Sequence, residues 1–176
     1  MNKTNDNQYQ LFVLRHGKAA DGQWGRDFDR ELTDTGILQA EKIANYLEEH
    51  GVNLDVVLIS PAKRTLMTAE IVISKLEIES QKIRVVDQIY QANLDALLKV
   101  IASCPMQHRT LLLVGHNPAL EDLVEYLLPT ALMAELQSDD RIYPATLVHL
   151  EMKLDWSRLT VNSAQAVSMI HGKFLP

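Results

Sequence analysis

Three short apolar runs, each ending at a polar turn, constrain the fold of this chain more than any other feature. They occupy residues 11–14, 56–59 and 111–114. Each run has the length and the continuous apolar character of a strand that is buried on both faces. The longer stretches between them carry apolar residues at helical spacing, which is typical of helices that cover a sheet. This alternation predicts a mainly parallel β-sheet with helices on both faces.

Basic side chains follow all three runs. Arg15 and His16 come directly after the first, Arg64 follows the second at a short distance, and His116 follows the third. Strand-to-helix turns of a parallel sheet open on its carboxyl edge, so we expect these four side chains to converge there. Helix N-termini at the same edge favour anions. Guanidinium groups grip the non-bridging oxygens of a phosphoryl group, so the pattern indicates phosphoryl transfer.

The second and third turns also contain helix-start signals. Ser60 precedes Pro61, and Asn117 precedes Pro118. Serine and asparagine are favoured N-cap residues, and proline is tolerated at the first helical position because its missing N–H costs nothing there. We therefore expect helices that begin at each proline. A substrate contact by either polar side chain is an equally open interpretation.

Composition limits the class of protein. The chain has 176 residues, 47% of them hydrophobic, and a formal net charge of -6, which suits a single domain and argues against nucleic acid or an anionic membrane as a partner. Cys104 is the one cysteine and is expected to be a small buried apolar residue. Residues 1–8 are polar and no apolar run approaches about 18 residues, so we expect a cytoplasmic protein.

Apolar periodicity predicts the remaining elements. A helix should run from Thr33 to near Gly51, and a strand should cover residues 83–86 before a helix that follows Asn93. Beyond Pro129, residues 146–152 and 158–161 predict a hairpin at the edge of the sheet. The helix after Pro61 should turn one apolar face inward, formed by Leu66, Ala69, Val72, Ile73 and Leu76.

Four motifs in order along the chain resemble those of the histidine phosphatase superfamily, which is phosphoglycerate-mutase-like, and within it those of the short SixA-type phosphohistidine phosphatases. They are Arg15-His16-Gly17; Leu32-Thr33-Asp34-Thr35-Gly36 with Gln39-Ala40; Ser60-Pro61-Ala62-Lys63-Arg64 with Thr68; and Gly115-His116-Asn117-Pro118. The resemblance implies a three-layer α/β/α sandwich with one antiparallel strand. It also implies a single histidine phosphatase domain over residues 1–176 that needs no cofactor and no metal.

The resemblance assigns roles to the converging side chains. His16 is expected to attack phosphorus and to carry the phosphoryl group as a covalent intermediate that water then hydrolyses. Arg15 and Arg64 are expected to hold the phosphoryl oxygens, and His116, if protonated, to donate to a third oxygen. Substrate-binding roles are expected for four further residues, two of them glycines that let the backbone approach the anion: Gly17, Ser60, Gly115 and Asn117.

One departure from the superfamily pattern bears on the substrate. Many members that act on phosphomonoesters carry a carboxylate after the third strand to protonate the leaving alkoxide, and nothing in residues 87–95 matches it. Imidazole leaves readily without such an acid, which favours phosphohistidine in a protein domain, such as a histidine phosphotransfer module. Two alternatives remain. One is a metabolite phosphatase that uses Asp95 or Asp21 as acid, and the other is a non-catalytic phosphoprotein-binding module.

Overall fold

The computed structural model describes residues 8–22, 26–133 and 141–176. Six strands form one sheet in the order β3-β2-β4-β1-β5-β6. The first four strands run parallel to one another, and β5 runs antiparallel to both of its neighbours. The predicted fold class, a mainly parallel sheet with an antiparallel edge element, is confirmed. The strands are β1 Tyr9–Arg15, β2 Val56–Ile59, β3 Ile83–Val85, β4 Thr110–Gly115, β5 Thr146–Met152 and β6 Ala164–His171.

Helices cover both faces of the sheet because successive side chains of each central strand point in opposite directions. Leu11 and Val13 of β1 pack in one buried cluster with α3 and α4, whereas Phe12 and Leu14 pack in another with α1 and α2. The four catalytic candidates lie at the carboxyl edge between these layers. The helices are α1 Asp34–Glu49, α2 Lys63–Lys75, α3 Leu94–Ala102, α4 Ala119–Leu127 and the single turn α5 Thr130–Met133. Short 3₁₀ helices span Asp27–Asp29, Ser80–Lys82, Asp87–Ile89 and Trp156–Arg158.

Two of the predicted N-caps are wrong, although Thr33 and Asn93 cap α1 and α3 through their side chains. The N-cap of α2 is Ala62, and that of α4 is Pro118, neither with a side-chain cap bond. The Ser60 and Asn117 side chains form other hydrogen bonds, which are described below. Helix α2 therefore begins two residues later than its motif suggests, and α4 begins one residue later.

The inward face of α2 also differs from the prediction. Leu66 is 36% exposed, whereas Ala69 and Val72 are fully buried as expected. The side chains that α2 buries near its start are instead Arg64, Thr65 and Thr68, because the first turns of this helix face the site rather than the apolar core.

The C-terminal hairpin is present, but its second strand lies later than predicted. β6 pairs antiparallel with β5 and starts at Ala164, so residues 158–161 are not a strand. The segment before β6 instead forms a 3₁₀ helix around Trp156, whose side chain is fully buried. Its indole Nε1 donates a hydrogen bond to the His108 carbonyl at 2.6 Å. The 3₁₀ helix includes Arg158, the first residue of the predicted strand, and pairing begins only after this segment.

Candidate active site

The four side chains that are predicted to converge line one cleft of about 570 Å³ at the carboxyl edge of the sheet. They are Arg15, His16, Arg64 and His116. Arg15 and His16 enter it from the end of β1, Arg64 from the first turn of α2, and His116 from the end of β4. Their convergence follows from the parallel strand arrangement, because β2, β4 and β1 are neighbours.

His16 is held in one tautomer. Its Nδ1 lies 2.7 Å from the carbonyl oxygen of Gly17, and a carbonyl can only accept, so Nδ1 carries the proton. The lone pair is then on Nε2, which receives a hydrogen bond from Nε of Arg64 at 3.3 Å. Burial, together with the nearby cations Arg64 and Arg15, lowers the pKa of His16 to about 4. The ring is therefore neutral at pH 7, with Nε2 available as a nucleophile.

The two arginines offer buried donors to an anion. Nη1 of Arg15 donates to the Ile142 carbonyl at 2.8 Å, while the Nε–H of Arg15 is buried without a hydrogen-bond partner among the described residues. A buried donor of this kind is available to an oxygen of a bound anion. Arg64, only 6% exposed, donates from Nη1 and Nη2 to the carbonyl and Oδ2 of Asp27, at 2.5 and 2.9 Å.

His116 is bound differently from His16. Its Nε2 lies 2.7 Å from the Ser60 hydroxyl, and its Nδ1 is buried without a hydrogen bond to the described part of the chain. The ring centroids of His116 and His16 are 5.2 Å apart. Burial lowers the pKa of His116 to about 3, and neighbouring cations add to the shift. The ligand-free ring is neutral, so the donor role requires a bound dianion to favour its protonation.

Packing accounts for the glycines at the ends of β1 and β4. A Cβ on Gly17 would lie 2.5 Å from the backbone oxygen of Gly36, at the start of α1. A Cβ on Gly115 would lie 3.3 Å from side-chain atoms of Ile89 and of Leu120. Both glycines therefore let other parts of the protein approach, and neither lines the cleft.

The Leu-Thr-x-x-Gly-x-x-Gln motif fixes the loop after His16. Gly36 admits the backbone of Lys18, whose carbonyl oxygen would lie 2.1 Å from an added Cβ. The Lys18 carbonyl accepts a hydrogen bond from the Thr33 hydroxyl at 3.1 Å. The backbone N–H of Lys18 donates to Oε1 of Gln39 at 3.2 Å. Residues at the start of α1 thus fix the position of the backbone that follows His16.

Thr68 connects the two motifs that carry His16 and Arg64. Its hydroxyl accepts from the Gly17 N–H at 3.1 Å and donates to the Arg64 carbonyl at 2.7 Å. The turn that holds His16 and the helical turn that holds Arg64 are therefore joined through one buried side chain.

The other two predicted binding residues, Asn117 and Ser60, differ in their access to the cleft. Asn117 lines the cleft and donates from Nδ2 to the Ile142 carbonyl at 2.9 Å, the same oxygen that Arg15 uses. Ser60 is fully buried beneath the cleft and reaches it only through His116.

Sequence reasoning missed Asp27 and Tyr90. Both line the cleft, and the Tyr90 hydroxyl donates to Oδ2 of Asp27 at 3.1 Å. Within the described ranges Asp27 is the one carboxylate in the lining. Asp21 is not part of the lining, and Asp95 forms an ion pair with Lys99 on the solvent-facing side of α3. Asp27 sits in a polar loop whose composition indicates only solvent exposure, so sequence alone gave no sign of it.

The described part of the chain shows neither a metal site nor a membrane span. Over residues 8–22, 26–133 and 141–176, no group of three or more His, Cys, Asp or Glu side chains could hold a metal ion. The helices in those ranges are all too short or too polar to cross a bilayer. Cys104 is buried, as expected, and burial raises its thiol pKa.

Comparison with known proteins gives the same family from sequence and from structure. Residues 11–90 match the histidine phosphatase superfamily (branch 1). An acid phosphatase of Mycobacterium tuberculosis is 41% identical over 66 residues, which are 36% of this chain and 32% of that protein. The chain thus matches only about a third of the length of this curated relative.

Solved structures match over almost the whole chain. A candidate phosphohistidine phosphatase SixA from Agrobacterium tumefaciens superposes with a TM-score of 0.78 at 26% identity, covering 92% of this chain and 97% of the other. The candidate SixA of Nakamurella multipartitia gives 0.72, also at 26% identity, covering 92% and 95%. With its motifs gathered in one cleft on this fold, the chain is similar to proteins of the histidine phosphatase superfamily (branch 1), whose family model matches residues 11–90.

Proposed function

We propose that this protein is a phosphatase that removes the phosphoryl group from phosphohistidine in another protein, through a covalent intermediate on His16. The observation that carries the proposal is the fixed tautomer of His16. The Gly17 carbonyl accepts a hydrogen bond from Nδ1–H, so Nε2 is the unprotonated nitrogen, and it faces Arg64 in the cleft. A neutral imidazole nitrogen beside two guanidinium groups suits attack on a phosphoryl dianion.

The proposed reaction has two in-line displacements. Nε2 of His16 attacks phosphorus as the bond to the leaving group breaks, and the electron pair of that bond goes to the leaving atom. Water then attacks the phosphorus of phosphorylated His16, and Nε2 recovers its electron pair. Arg15 and Arg64 stabilise the charge on the oxygens in both steps, and His116 becomes a third donor when the dianion raises its pKa.

The carboxylates of the cleft favour an imidazole as the leaving group. Asp95 and Asp21, the acids considered for a metabolite phosphatase, are not in the lining. Asp27 is there, but hydrogen bonds from Arg30 and Arg64 outweigh its burial and lower its pKa to about 2, so it is ionised at pH 7. Departure of an alkoxide benefits about 10²–10⁴-fold from a positioned acid. A phosphorylated imidazole that carries its own ring proton needs none.

Similarity to SixA structures supports the same substrate class, because two solved chains of that name match over more than nine tenths of this chain. The proposed partner is a phosphorylated protein domain, such as a histidine phosphotransfer module, and a location in the cytoplasm belongs to this proposal. Four converging catalytic candidates make a purely phosphate-binding module the weaker interpretation.

A metabolite phosphatase is the second candidate, supported by the 41% identity to an acid phosphatase over 66 residues. A substrate panel separates the two. We expect kcat/KM on a phosphohistidine protein to exceed that on sugar phosphates and nucleotides by at least about 10²-fold, with aryl phosphates of acidic phenols in between. Equal kcat/KM values on alkyl phosphates and on phosphohistidine would contradict the proposal and favour a metabolite phosphatase.

A further inference from the structure

Asp27 is an unexpected residue for a phosphate-binding cleft. The Asp27–Asp29 3₁₀ helix places its carboxylate among the cations that a phosphoryl group would use, and its side chain is 53% exposed. Oδ1 accepts from Nη1 of Arg30 at 3.0 Å, while Oδ2 accepts from Arg64 and Tyr90. A carboxylate offers about four lone-pair sites, so it retains room for one further donor.

The position of Asp27 relative to the nucleophile follows from the shape of Arg64. The Nε edge of its guanidinium faces Nε2 of His16, and its two Nη atoms face Asp27. The planar group therefore separates the nucleophile from the carboxylate. In-line attack places the leaving group on the side of phosphorus away from Nε2, and a phosphoryl group held by Arg64 then has its leaving group on the side of Asp27.

Electrostatics decide which leaving group suits this position. A phosphoryl dianion and an ionised carboxylate on the same arginine repel each other, which weakens substrates whose leaving group is neutral or anionic. A leaving group with a positive charge and an N–H donor reverses that effect. A phosphorylated imidazole protonated on its second ring nitrogen has both properties, and an alkyl phosphate has neither.

From this geometry we infer that Asp27 is a specificity-determining residue that accepts the ring N–H of the phosphorylated imidazole in the substrate. The inference rests on the proposed function and names the group that recognises its leaving ring. The ring enters as a cation with a proton on the nitrogen distal to phosphorus. When the P–N bond breaks, its electron pair neutralises the ring, which leaves as imidazole with that proton still on the distal nitrogen. The step consumes no other acid.

The competing interpretation makes Asp27 only a positioning residue for Arg64. Loss of the carboxylate would then impair the grip on the phosphoryl group, which all substrates share. A role toward the leaving ring affects phosphohistidine alone. The two interpretations therefore differ in the ratio of two activities and not in the size of either.

The test uses Asp27→Asn, which keeps the shape of the side chain and removes its charge, with Asp29→Asn in the same 3₁₀ helix as the matched control. Each protein is assayed with a phosphohistidine peptide and with p-nitrophenyl phosphate. We expect the ratio of the two kcat/KM values to fall at least about tenfold in Asp27→Asn and to stay within about twofold in Asp29→Asn.

Equal losses on both substrates in Asp27→Asn would overturn the inference and make Asp27 a positioning residue. A wild-type protein that shows no preference for the phosphohistidine peptide would instead contradict the proposed function. A misfolded variant loses both activities together, and circular dichroism identifies it. In that case Asp27→Glu, which keeps the charge, should retain a ratio at least about fivefold above that of Asp27→Asn once activity is measured per folded molecule.

Discussion

The turns after β1 and β4 are neighbours, because Arg15 lies opposite Gly115 in the parallel pairing, and each is followed by a histidine. They hold those rings in different ways. The Gly17 carbonyl binds His16, and the Ser60 hydroxyl binds His116. A carbonyl only accepts, so it fixes one tautomer, whereas a hydroxyl donates or accepts and tolerates either protonation state. The first arrangement suits a nucleophile, and the second suits a proton-carrying donor.

His16→Ala should have the largest effect. Without Nε2 no covalent intermediate forms, and we expect kcat/KM to fall by roughly 10⁴-fold or more. Rapid quenching with a labelled substrate should trap an acid-labile phosphoenzyme in the wild type and none in the variant. His50→Ala, at the exposed end of α1, is the control and should keep full activity. A labelled phosphoenzyme in His16→Ala would place the nucleophile elsewhere.

His116→Ala should slow the reaction without changing its course. Losing one donor to a developing oxyanion costs about 10²–10³-fold, so kcat should fall by that factor. The phosphoenzyme on His16 should still form, more slowly, and quench-flow measures its rate. If His116→Ala abolished the intermediate as completely as His16→Ala does, the difference in roles drawn from their hydrogen-bond partners would be wrong.

The ligand-free protein should keep both histidines neutral at mildly acidic pH. Their pKa values, lowered to about 4 and about 3, lie below the ordinary 6.5 of histidine. Between these pH values the two histidines bind protons in the unfolded chain but not in the folded chain. The free energy of unfolding should therefore decline as pH falls from about 6.5 toward 4. Nitrogen-15 NMR of the imidazole rings measures both titrations. A ring that titrates near 6.5 would show that its desolvation is relieved in solution.

Ser60→Ala should have the smallest effect of the four. The change removes one hydrogen bond to His116 in a fully buried place, which is worth on the order of 1 kcal/mol, or about fivefold in kcat. Thr65→Val, an equally buried change that removes the hydroxyl bonded to the Ser60 carbonyl, tests whether loss of another buried hydrogen bond at this turn produces the same effect. An unchanged kcat in Ser60→Ala would mean that the cleft orients His116 by contact with the Tyr90 ring instead, whose centroid lies 5.9 Å away.

Sequence reasoning predicted the four parallel strands because buried parallel strands leave a clear apolar run. It also predicted the convergence of Arg15, His16, Arg64 and His116, which depends only on strand ends meeting at one edge. That Ser60 and Asn117 do not cap α2 and α4 could not be predicted, because a side chain that can cap a helix can equally bind a partner distant in sequence. The choice between these is made by tertiary contacts to His116 and Ile142.

Asp27 could not be predicted for a different reason. It belongs to a loop without apolar periodicity, and its role depends on meeting Arg64, Arg30 and Tyr90 in space. Two of these partners are distant in sequence. The sequence predicts that Gly17 and Gly115 let the backbone approach an anion. In the structure, the atoms that need the space beside these glycines belong to α1, Ile89 and Leu120.

The backbone contact between Gly17 and Gly36 has a consequence for changing the substrate range by directed evolution. No side chain can be introduced at either position without displacing main chain, since added Cβ atoms would lie 2.5 and 2.1 Å from carbonyl oxygens. Varying either glycine would therefore disturb the turn that holds His16. Gln91 and Ala92 line the cleft itself and are exposed and half-buried, respectively. New leaving groups are therefore best sought by randomising those two positions, with the contact between Gly17 and Gly36 left intact.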